Sequence, residues 1–405
     1  MKGKKIIVGV SGGIAAYKAA ELVRLLVKAD ARTFVTMTSN GARFVTPLTF
    51  EALSGNRVIR DMWDNEGTSI DHISWGQKSD LIIIAPATAN FIAKMAHGIG
   101  DDFLSTMVLA ATAGILVCPS MNSQMFKNPA VQDNLRVLKA RGINVMEPGE
   151  GQLACHTEGP GRLPEPEDIM EQAFILISPQ DLSGLKILVT AGPTVEPIDP
   201  VRYITNRSSG KMGYALARAA RRRGASVTLV SGPTSLKPPY GVEFCGVKTA
   251  ENMKQAVFEN RPKCNIIIKA AAVSDYRPRD SAAHKIKKGE DSLSLQLVKN
   301  PDILAELGSV RKESDCLLVG FAAETKDLMA NAKKKLRAKN LDMIVANDVS
   351  REDSGFETDT NIVKIIYSDG QVEDLALMTK NEVADSVLDR IKAMWEGSVE
   401  HRSGN

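Results

Sequence analysis

The stretch KKIIVGVSGGIAAYKAAELVRLLVKADARTFVTMTS, Lys4 to Ser39, passes through three patterns in order. An apolar, β-rich run ending at Val10 gives way to a Ser-Gly-Gly turn. Apolar residues then recur at helical spacing as far as Lys28, and a second β-rich run begins at Arg32. A continuous apolar run reads as a buried strand and a 3.6-residue period as a helix, so the stretch is one βαβ unit. Further strands are expected at DLIIIAPAT (80–88), GILVCPSM (114–121) and INVMEP (143–148), with helical stretches between them. Strands alternating with helices predict a parallel sheet covered on both faces.

After PEPEDIMEQAFILISPQDLSG (164–184) the pattern starts again. LKILVTAGPT (185–194) is a strand and glycine turn, GKMGYALARAARRRGA (210–225) a helix and SVTLVSGPTS (226–235) a strand. Later strands are CNIIIKAAAV, CLLVGFAAET and DMIVANDVS, and NIVKIIYSDGQVEDL (361–375) predicts a hairpin about an Asp-Gly turn. The expected fold class is α/β: two tandem doubly wound, Rossmann-like domains with mainly parallel sheets, residues 1–180 and 185–405. The halves share a pattern but no detailed self-similarity, so they are free to do different chemistry.

A chain of 405 residues suits two domains of roughly 200 residues each. Its net charge of +3 gives no global case for nucleic acid or an anionic membrane surface. The five cysteines (Cys118, Cys155, Cys245, Cys264, Cys316) lack any C-x-x-C spacing and mostly sit in strand-like runs, a reduced pattern. With no apolar run long enough to span a bilayer, the expectation is a cytoplasmic protein.

Open α/β sheets bind ligands beyond the carboxyl ends of their strands, so the turns after strands are the places to inspect. Ser11, Gly12 and Gly13 stand at a helix N-terminus, where free N–H groups favour an anion; a plain tight turn fits them equally. Two more strand ends, Thr38-Ser39 and Thr88 with Asn90, add hydroxyls and an amide, and the three together suit one phosphate-bearing ligand such as a mononucleotide. Asn122 lies between Met121 and Met125, methionines that suit a core as readily as a ligand wall. His72 is open to two readings, proton shuttle or structural residue. Cys155 lies in a glycine-rich loop and is a better candidate for reactivity than the strand cysteines. In the second half, NRSSGKMGYALARAA (206–220) carries Gly210-Lys211 at a helix mouth, but a phosphate-binding P-loop would need glycine at Thr205 and Ser or Thr at Met212. Neither half has the G-x-G-x-x-G of a plain nicotinamide dehydrogenase.

GVSGGIAAYK, APATAN, PSMNSQM, His72 and the cysteine-containing glycine loop together resemble the homo-oligomeric flavin-containing cysteine decarboxylases, in the phosphopantothenoylcysteine decarboxylase branch. The resemblance covers residues 1–180. It implies FMN surrounded by Ser11, Gly12, Gly13, Ser39, the strand end of Pro86, Ala87, Thr88 and Asn90, and Ser105, with Met121 and Met125 beside the substrate. It also implies a sequence of steps. The flavin oxidises the thiol to a thioaldehyde that can delocalise the charge left by carbon dioxide. His72 assists this oxidative decarboxylation, Asn122 holds the substrate carboxylate, and Cys155 donates a proton as the hydride returns. The chain departs from the family pattern at Phe126, where tryptophan is usual, at His156, where glycine is usual, and at Asp101, where asparagine is expected.

AGPTVEPIDPVRYITNRSSGKMG, AAAVSDY, KIKK, VKNPDIL and GFAAET resemble the phosphopantothenate-cysteine ligase domain, from residue 185 to about 395. The resemblance implies that a 4'-phosphopantothenate carboxylate attacks the α-phosphate of CTP, pyrophosphate leaves, and the cysteine amine attacks the acyl-cytidylate. Asn206 and Lys285 are then the catalytic candidates. Lys335 and Lys339 fall to CTP, Asp275 and Phe321 to its base or ribose, and Lys269, Ala270, Ala271, Pro301, Asp302, Ile303 and Leu304 to the substrates. Mg2+ rides on the phosphates, with Asp199 as a candidate contributor. Taken singly, each lysine run fits a solvated surface just as well, and the run Arg221 to Arg223 is read as surface. The resemblance further implies a homo-oligomer with trimeric contacts around the flavin and dimeric contacts between ligase domains, hence a dodecamer. Two rival readings are a monofunctional decarboxylase with a regulatory nucleotide-binding C-terminal half, and a nonenzymatic binding subunit.

Overall fold

The structure is a computed structural model that describes residues 1–63, 71–152, 158–287, 293–311, 316–324, 327–348 and 358–403. The chain divides into two compact units, Met1–Ser178 and Pro179–Asn405.

The first unit is built on strands β1 (Lys5–Val10), β2 (Arg32–Met37), β3 (Leu81–Ala87), β4 (Gly114–Pro119) and β5 (Asn144–Val145). They pair in the order β2-β1-β3-β4-β5, every pair parallel. Val8 is in register with Val35 on one side and Ile83 on the other. All seven residues of β3 are buried, which is why its sequence is continuously apolar rather than alternating. The helices are α1 (Ala16–Lys28), α2 (Pro47–Ser54), α3 (Asp71–Gln77), α4 (Ala89–His97), α5 (Phe103–Leu109), α6 (Ser123–Lys127), α7 (Pro129–Ala140) and α8 (Pro166–Ile177). On α1 the 3.6-residue period puts Ala16, Ala19, Leu22, Val23 and Leu26 into the core. A short antiparallel hairpin, β6 (Gly149–Gln152) and β7 (Glu158–Arg162), follows the sheet. The strand expected over INVMEP is only two residues long.

The second unit runs β8 (Lys186–Ala191), β9 (Val195–Pro197), β10 (Tyr203–Thr205), α9 (Lys211–Arg222), β11 (Ser226–Ser231), β12 (Glu243–Gly246), α10 (Ala250–Asn260), β13 (Ile266–Lys269), β14 (Tyr276–Pro278), β15 (Leu297–Lys299), α11 (Ile303–Val310), β16 (Leu317–Glu324), α12 (Leu328–Ala338), β17 (Met343–Asp348), β18 (Thr360–Tyr367), β19 (Val372–Thr379) and α13 (Lys380–Ser403). Its main sheet has the order β12-β11-β8-β13-β16-β17-β18-β19. The pairs as far as β17 are parallel and the last two antiparallel. β18 and β19 form the expected hairpin, with Gly370 at φ +96° in its turn. Two small antiparallel pairs, β9 with β10 and β14 with β15, stand apart from this sheet.

Helix α9 begins at Lys211, one residue inside the expected 210–225, with Gly210 left-handed at φ +76° as its N-cap. One expectation is corrected here. Arg223 is not surface. It is 8% exposed and its guanidinium donates to Asp181 and Asp389, each at 2.7 Å. Both partners are distant in sequence, which a reading of the local run cannot see. Among the described residues no helix is long and apolar enough to cross a membrane.

Candidate active sites

In the first unit the strand order reverses direction between β1 and β3: β2 lies on one side of β1, and β3, β4 and β5 follow on the other. This is the flavodoxin-like arrangement, whose switch point opens a crevice past the strand ends. A cavity of about 1280 Å³ lies there, lined by Ser11, Gly12, Gly13, Ser39, Thr88, Asn90, Met121, Asn122 and Met125 among others. Ser11 is buried; its hydroxyl donates to the Pro86 carbonyl at 2.7 Å and accepts from the Thr88 N–H at 3.0 Å. One serine thereby ties the ends of β1 and β3 together across a cis Ala85-Pro86 bond. Helix α1 starts without a side-chain cap, although the N–H groups of Ala16 and Lys18 already bond the Gly13 and Ala15 carbonyls at 3.0 Å. A Cβ on Gly12 would meet the Asn40 Cβ at 2.4 Å; only glycine lets the two loops approach this closely.

Asn122 caps α6, its Oδ1 accepting from the Gln124 N–H at 2.8 Å. The adjacent Met121 N–H donates to the Gly161 carbonyl at 2.9 Å. Gly161 has φ +139° and its Cβ would lie 2.2 Å from the Met121 carbonyl oxygen, so the base of the β6–β7 hairpin docks on the Asn122 turn through glycine. The residues joining those two strands, Cys155 and His156 among them, lie outside the described residues. Of the described cysteines, burial pushes the Cys118 thiol far up and the Cys264 thiol to about 11, which makes both poor nucleophiles.

Four sequence candidates sit off this wall, the first being Pro86, buried in β3 with its carbonyl accepting from Ser11. Ser105 is 2% exposed and its hydroxyl and N–H both engage Asp102 in a capping box. Ala87 is core. His72 lies on α3, half-buried, and is not among the cavity residues. Sequence reasoning missed Lys94, which lines the cavity and bridges Asp101 at 2.6 Å and Asp102 at 3.3 Å. Its hydrogen bond holds the Asp101 carboxyl below the usual range, so the acid that stands where asparagine is expected is neutralised in place. Phe126 packs against the core of the unit.

The parallel strands of the second unit, renumbered in chain order, read 3-2-1-4-5-6, with the switch point between β8 and β13. A cavity of about 300 Å³ opens there, lined by Asn206, the 208–213 turn, Ala270, Ala271, Phe321 and Lys335, with Asn347, Asn361 and Lys380 on its far side. Asn206 Nδ2 donates to the Val273 carbonyl at 3.0 Å, which fixes the amide over the switch point. Gly213 allows α9 to touch β8: its Cβ would stand 2.5 Å from the Ala191 Cβ.

The other candidates divide. Lys339 pairs with Asp302 at 2.8 Å, and Asp302 caps α11. Lys269 is 7% exposed, pushed down to about 7 chiefly by burial. Lys285 and Asp275 are exposed and lie off the cavity wall, as does Pro301. Ile303 and Leu304 are core residues on the buried face of α11, 2% and 8% exposed, so their side chains are not ligand contacts. Asp199 is corrected as a metal candidate. One oxygen accepts the N–H groups of Val201 and Arg202, both at 2.8 Å, and the other accepts from the Arg202 guanidinium at 2.6 Å and the Ile286 N–H at 3.1 Å. The Arg202 hydrogen bond leads in holding this carboxyl far below the usual range; it is a latch for the 195–205 turn and has no free lone pair to offer.

Comparison with known proteins follows the same division. Residues 1–177 match the family model Flavoprotein, and residues 182–394 match DNA/pantothenate metabolism flavoprotein C-terminal domain. The Coenzyme A biosynthesis bifunctional protein CoaBC of Bacillus subtilis (strain 168) is 48% identical over 399 residues, which is 97% of this chain and 98% of that protein. The chain belongs to the bifunctional coenzyme A biosynthesis family. The protein of the same name from Escherichia coli (strain K12) is 46% identical over 401 residues, 98% of each chain. Among solved structures, the C-terminal domain of a CoaBC protein aligns at 45% identity with a TM-score of 0.47, covering 54% of this chain and 99% of that one. Membership makes this chain a bifunctional enzyme of coenzyme A biosynthesis, a decarboxylase and ligase in one polypeptide, with a flavoprotein first half.

Proposed function

We propose that residues 1–178 decarboxylate 4'-phosphopantothenoylcysteine with FMN, and that residues 179–405 make that compound from 4'-phosphopantothenate, cysteine and CTP. The observation that carries the first half is the cradle at the β1/β3 switch point. A buried hydroxyl, an uncapped helix N-terminus and a glycine that no larger residue could replace converge where a flavin mononucleotide phosphate needs donors. Ser11, Gly12, Gly13, Ser39, Thr88 and Asn90 would hold the cofactor. When bound, FMN accepts and returns the hydride that makes loss of carbon dioxide possible. The chain's own groups do the rest. Asn122 orients the substrate carboxylate through its amide, Met121 and Met125 keep water from it, and Cys155 gives the proton that completes the product. Because His72 lies off this wall, its part in the chemistry requires a second copy of the chain. The apolar side chains exposed beside the cavity, Ile14 at 60%, Tyr17 at 61% and Met125 at 49%, support such a homo-oligomer, up to the dodecamer expected from sequence, in the cytoplasm.

In the second half the substrate carboxylate attacks the α-phosphate, the bond to pyrophosphate breaks, and the amine of cysteine displaces CMP to form the amide. Asn206 holds the acyl phosphate through charge-assisted hydrogen bonds, and Lys335, with Lys339 at the end of the same helix and Lys285, offsets the triphosphate charge. Among the described residues no three His, Cys, Asp or Glu side chains gather as a metal site, so Mg2+ in this reading is held by phosphate oxygens.

The test is the full reaction with each nucleotide, following amide, pyrophosphate and carbon dioxide. Wild-type protein is expected to release pyrophosphate with CTP, and Cys155→Ser to lose carbon dioxide while an oxidised product accumulates. Normal phosphopantetheine output from that variant would remove Cys155 as the proton donor.

A further inference from the structure

Two side chains on the far wall of the second cavity have no part in the chemistry above. Asn361, on β18, and Lys380, at the start of α13, both line it and are only 4% and 7% exposed. The Oδ1 of Asn361 is buried with no hydrogen-bond partner, and its Nδ2 meets the sulfur of Met212 at 3.8 Å. A buried carboxamide in this state costs free energy until something polar arrives. The Lys380 ammonium donates to the Thr358 carbonyl. Burial first, then the charge of Lys211, push it down to about 8, with Asp359 acting the other way. Lys211 reaches the same place from the first turn of α9 and pairs at 2.7 Å with Asp359, which is 86% exposed.

Two ammonium groups from separate elements therefore converge beside a helix N-terminus that has no side-chain cap. Such convergence is unfavourable alone and favourable around a polyanion. The terminal phosphates of a nucleoside triphosphate bring several negative charges; the rival polyanion in the reaction is the 4'-phosphate of the other substrate. Position separates the two ends of that triphosphate. The reacting phosphorus must lie near Asn206 at the β8/β13 switch point, whereas β18 stands beyond β16 and β17 in the sheet order. What meets β18 is the end that departs.

We propose that Asn361 and Lys380, facing Lys211, form a subsite for the terminal phosphates of the nucleoside triphosphate, which also holds pyrophosphate before release. The proposal rests on reading this unit as the ligase. The amide of Asn361, turned about χ2, presents its NH2 to a phosphate oxygen, and Lys380 supplies the counter-charge from the opposite side. Neither residue touches the reacting carboxylate, so they are binding residues.

The experiment is calorimetric titration of the full chain with pyrophosphate and separately with CMP. Wild-type protein is expected to bind both. Lys380→Met and Asn361→Leu are each expected to weaken pyrophosphate about 10- to 100-fold, the worth of a charged hydrogen bond, to leave CMP binding unchanged, and to raise the KM for CTP without changing that for cysteine or for 4'-phosphopantothenate; a rise confined to 4'-phosphopantothenate would give the site to that substrate's own phosphate and overturn the proposal. Lys380→Arg should recover part of the loss. If both variants bind pyrophosphate as wild type does, the subsite is wrong. Should the variants fail to fold, the wild-type titration decides alone: no pyrophosphate binding overturns the proposal. Wild-type protein that makes no amide with CTP would instead sink the ligase reading itself.

Discussion

A Cβ placed on Gly12 would lie 2.4 Å from that of Asn40 and 2.9 Å from its backbone carbonyl carbon. Backbone cannot yield as a flexible side-chain tip can, so Gly12→Ala should push the β1 turn off the 38–40 loop. We expect that variant to fold yet take up FMN poorly, read as loss of visible flavin absorbance after reconstitution and desalting; full flavin content would show that the cradle is elsewhere. Lys269 makes a second prediction at this scale. Its folded value is about 7 against an ordinary 10.5. Between those values the unfolded chain binds a proton that the folded chain refuses, so stability rises with pH across that window. Above pH 9 the buried thiols turn the trend, since Cys264 ionises in the unfolded chain near 9.0 and in the fold near 11. The ligand-free protein should therefore gain on the order of 2 kcal/mol between pH 7 and 9. Denaturant midpoints measure it, and Lys269→Met, which lies beside Met253, should flatten the curve.

At the level of elements, helix α9 shows how close packing and ligand geometry come from the same glycines. Gly210 takes φ +76° as the N-cap of the helix, at the cavity, and Gly213 lets the first turn press on β8, where a Cβ on it would lie 2.5 Å from that of Ala191. Gly213→Val adds two methyls and a Cβ where there is already no room. The expected cost is about 1–3 kcal/mol, measured as a lower urea midpoint, with ligation falling more than decarboxylation because the turn at 206–210 moves with the helix. A wild-type midpoint would mean that α9 does not press on β8. The elements were largely legible in advance. Strands such as LIIIAPA and helices with a 3.6-residue apolar stripe announce themselves because burial on two faces or one leaves its period in the residues. INVMEP was legible as a strand but not in its length, since a two-residue strand at a sheet edge carries too little period to bound.

For the whole molecule the boundary between units matters. Asp181 and Leu182 belong to the second unit: Asp181 accepts from Arg223 at 2.7 Å, and Leu182 is fully buried with its N–H on the Arg223 carbonyl. A fragment Pro179–Asn405 should fold and ligate alone. One that starts at Leu185 loses the Asp181 partner of a nearly buried guanidinium, at a cost of about 1–3 kcal/mol, and should melt several degrees lower. Equal melting of the two would show that the pair contributes nothing. Local pattern was sufficient to establish two α/β halves, the strand ends worth inspecting, and a set of polar residues at those ends, because each depends on neighbours within a few positions along the chain. Packing alone settled which candidates share a wall. Ser11 and Thr88 meet because β1 and β3 adjoin; Ser105, Ile303 and Leu304 are taken by a cap and by the core; Asp199 is saturated by Arg202 and Ile286; and Asn361 and Lys380 reach the second cavity from a hairpin and a helix more than a hundred residues beyond Asn206. Contacts across such separations leave no period or spacing in a sequence, since the distance that matters is measured through space after the sheet has formed.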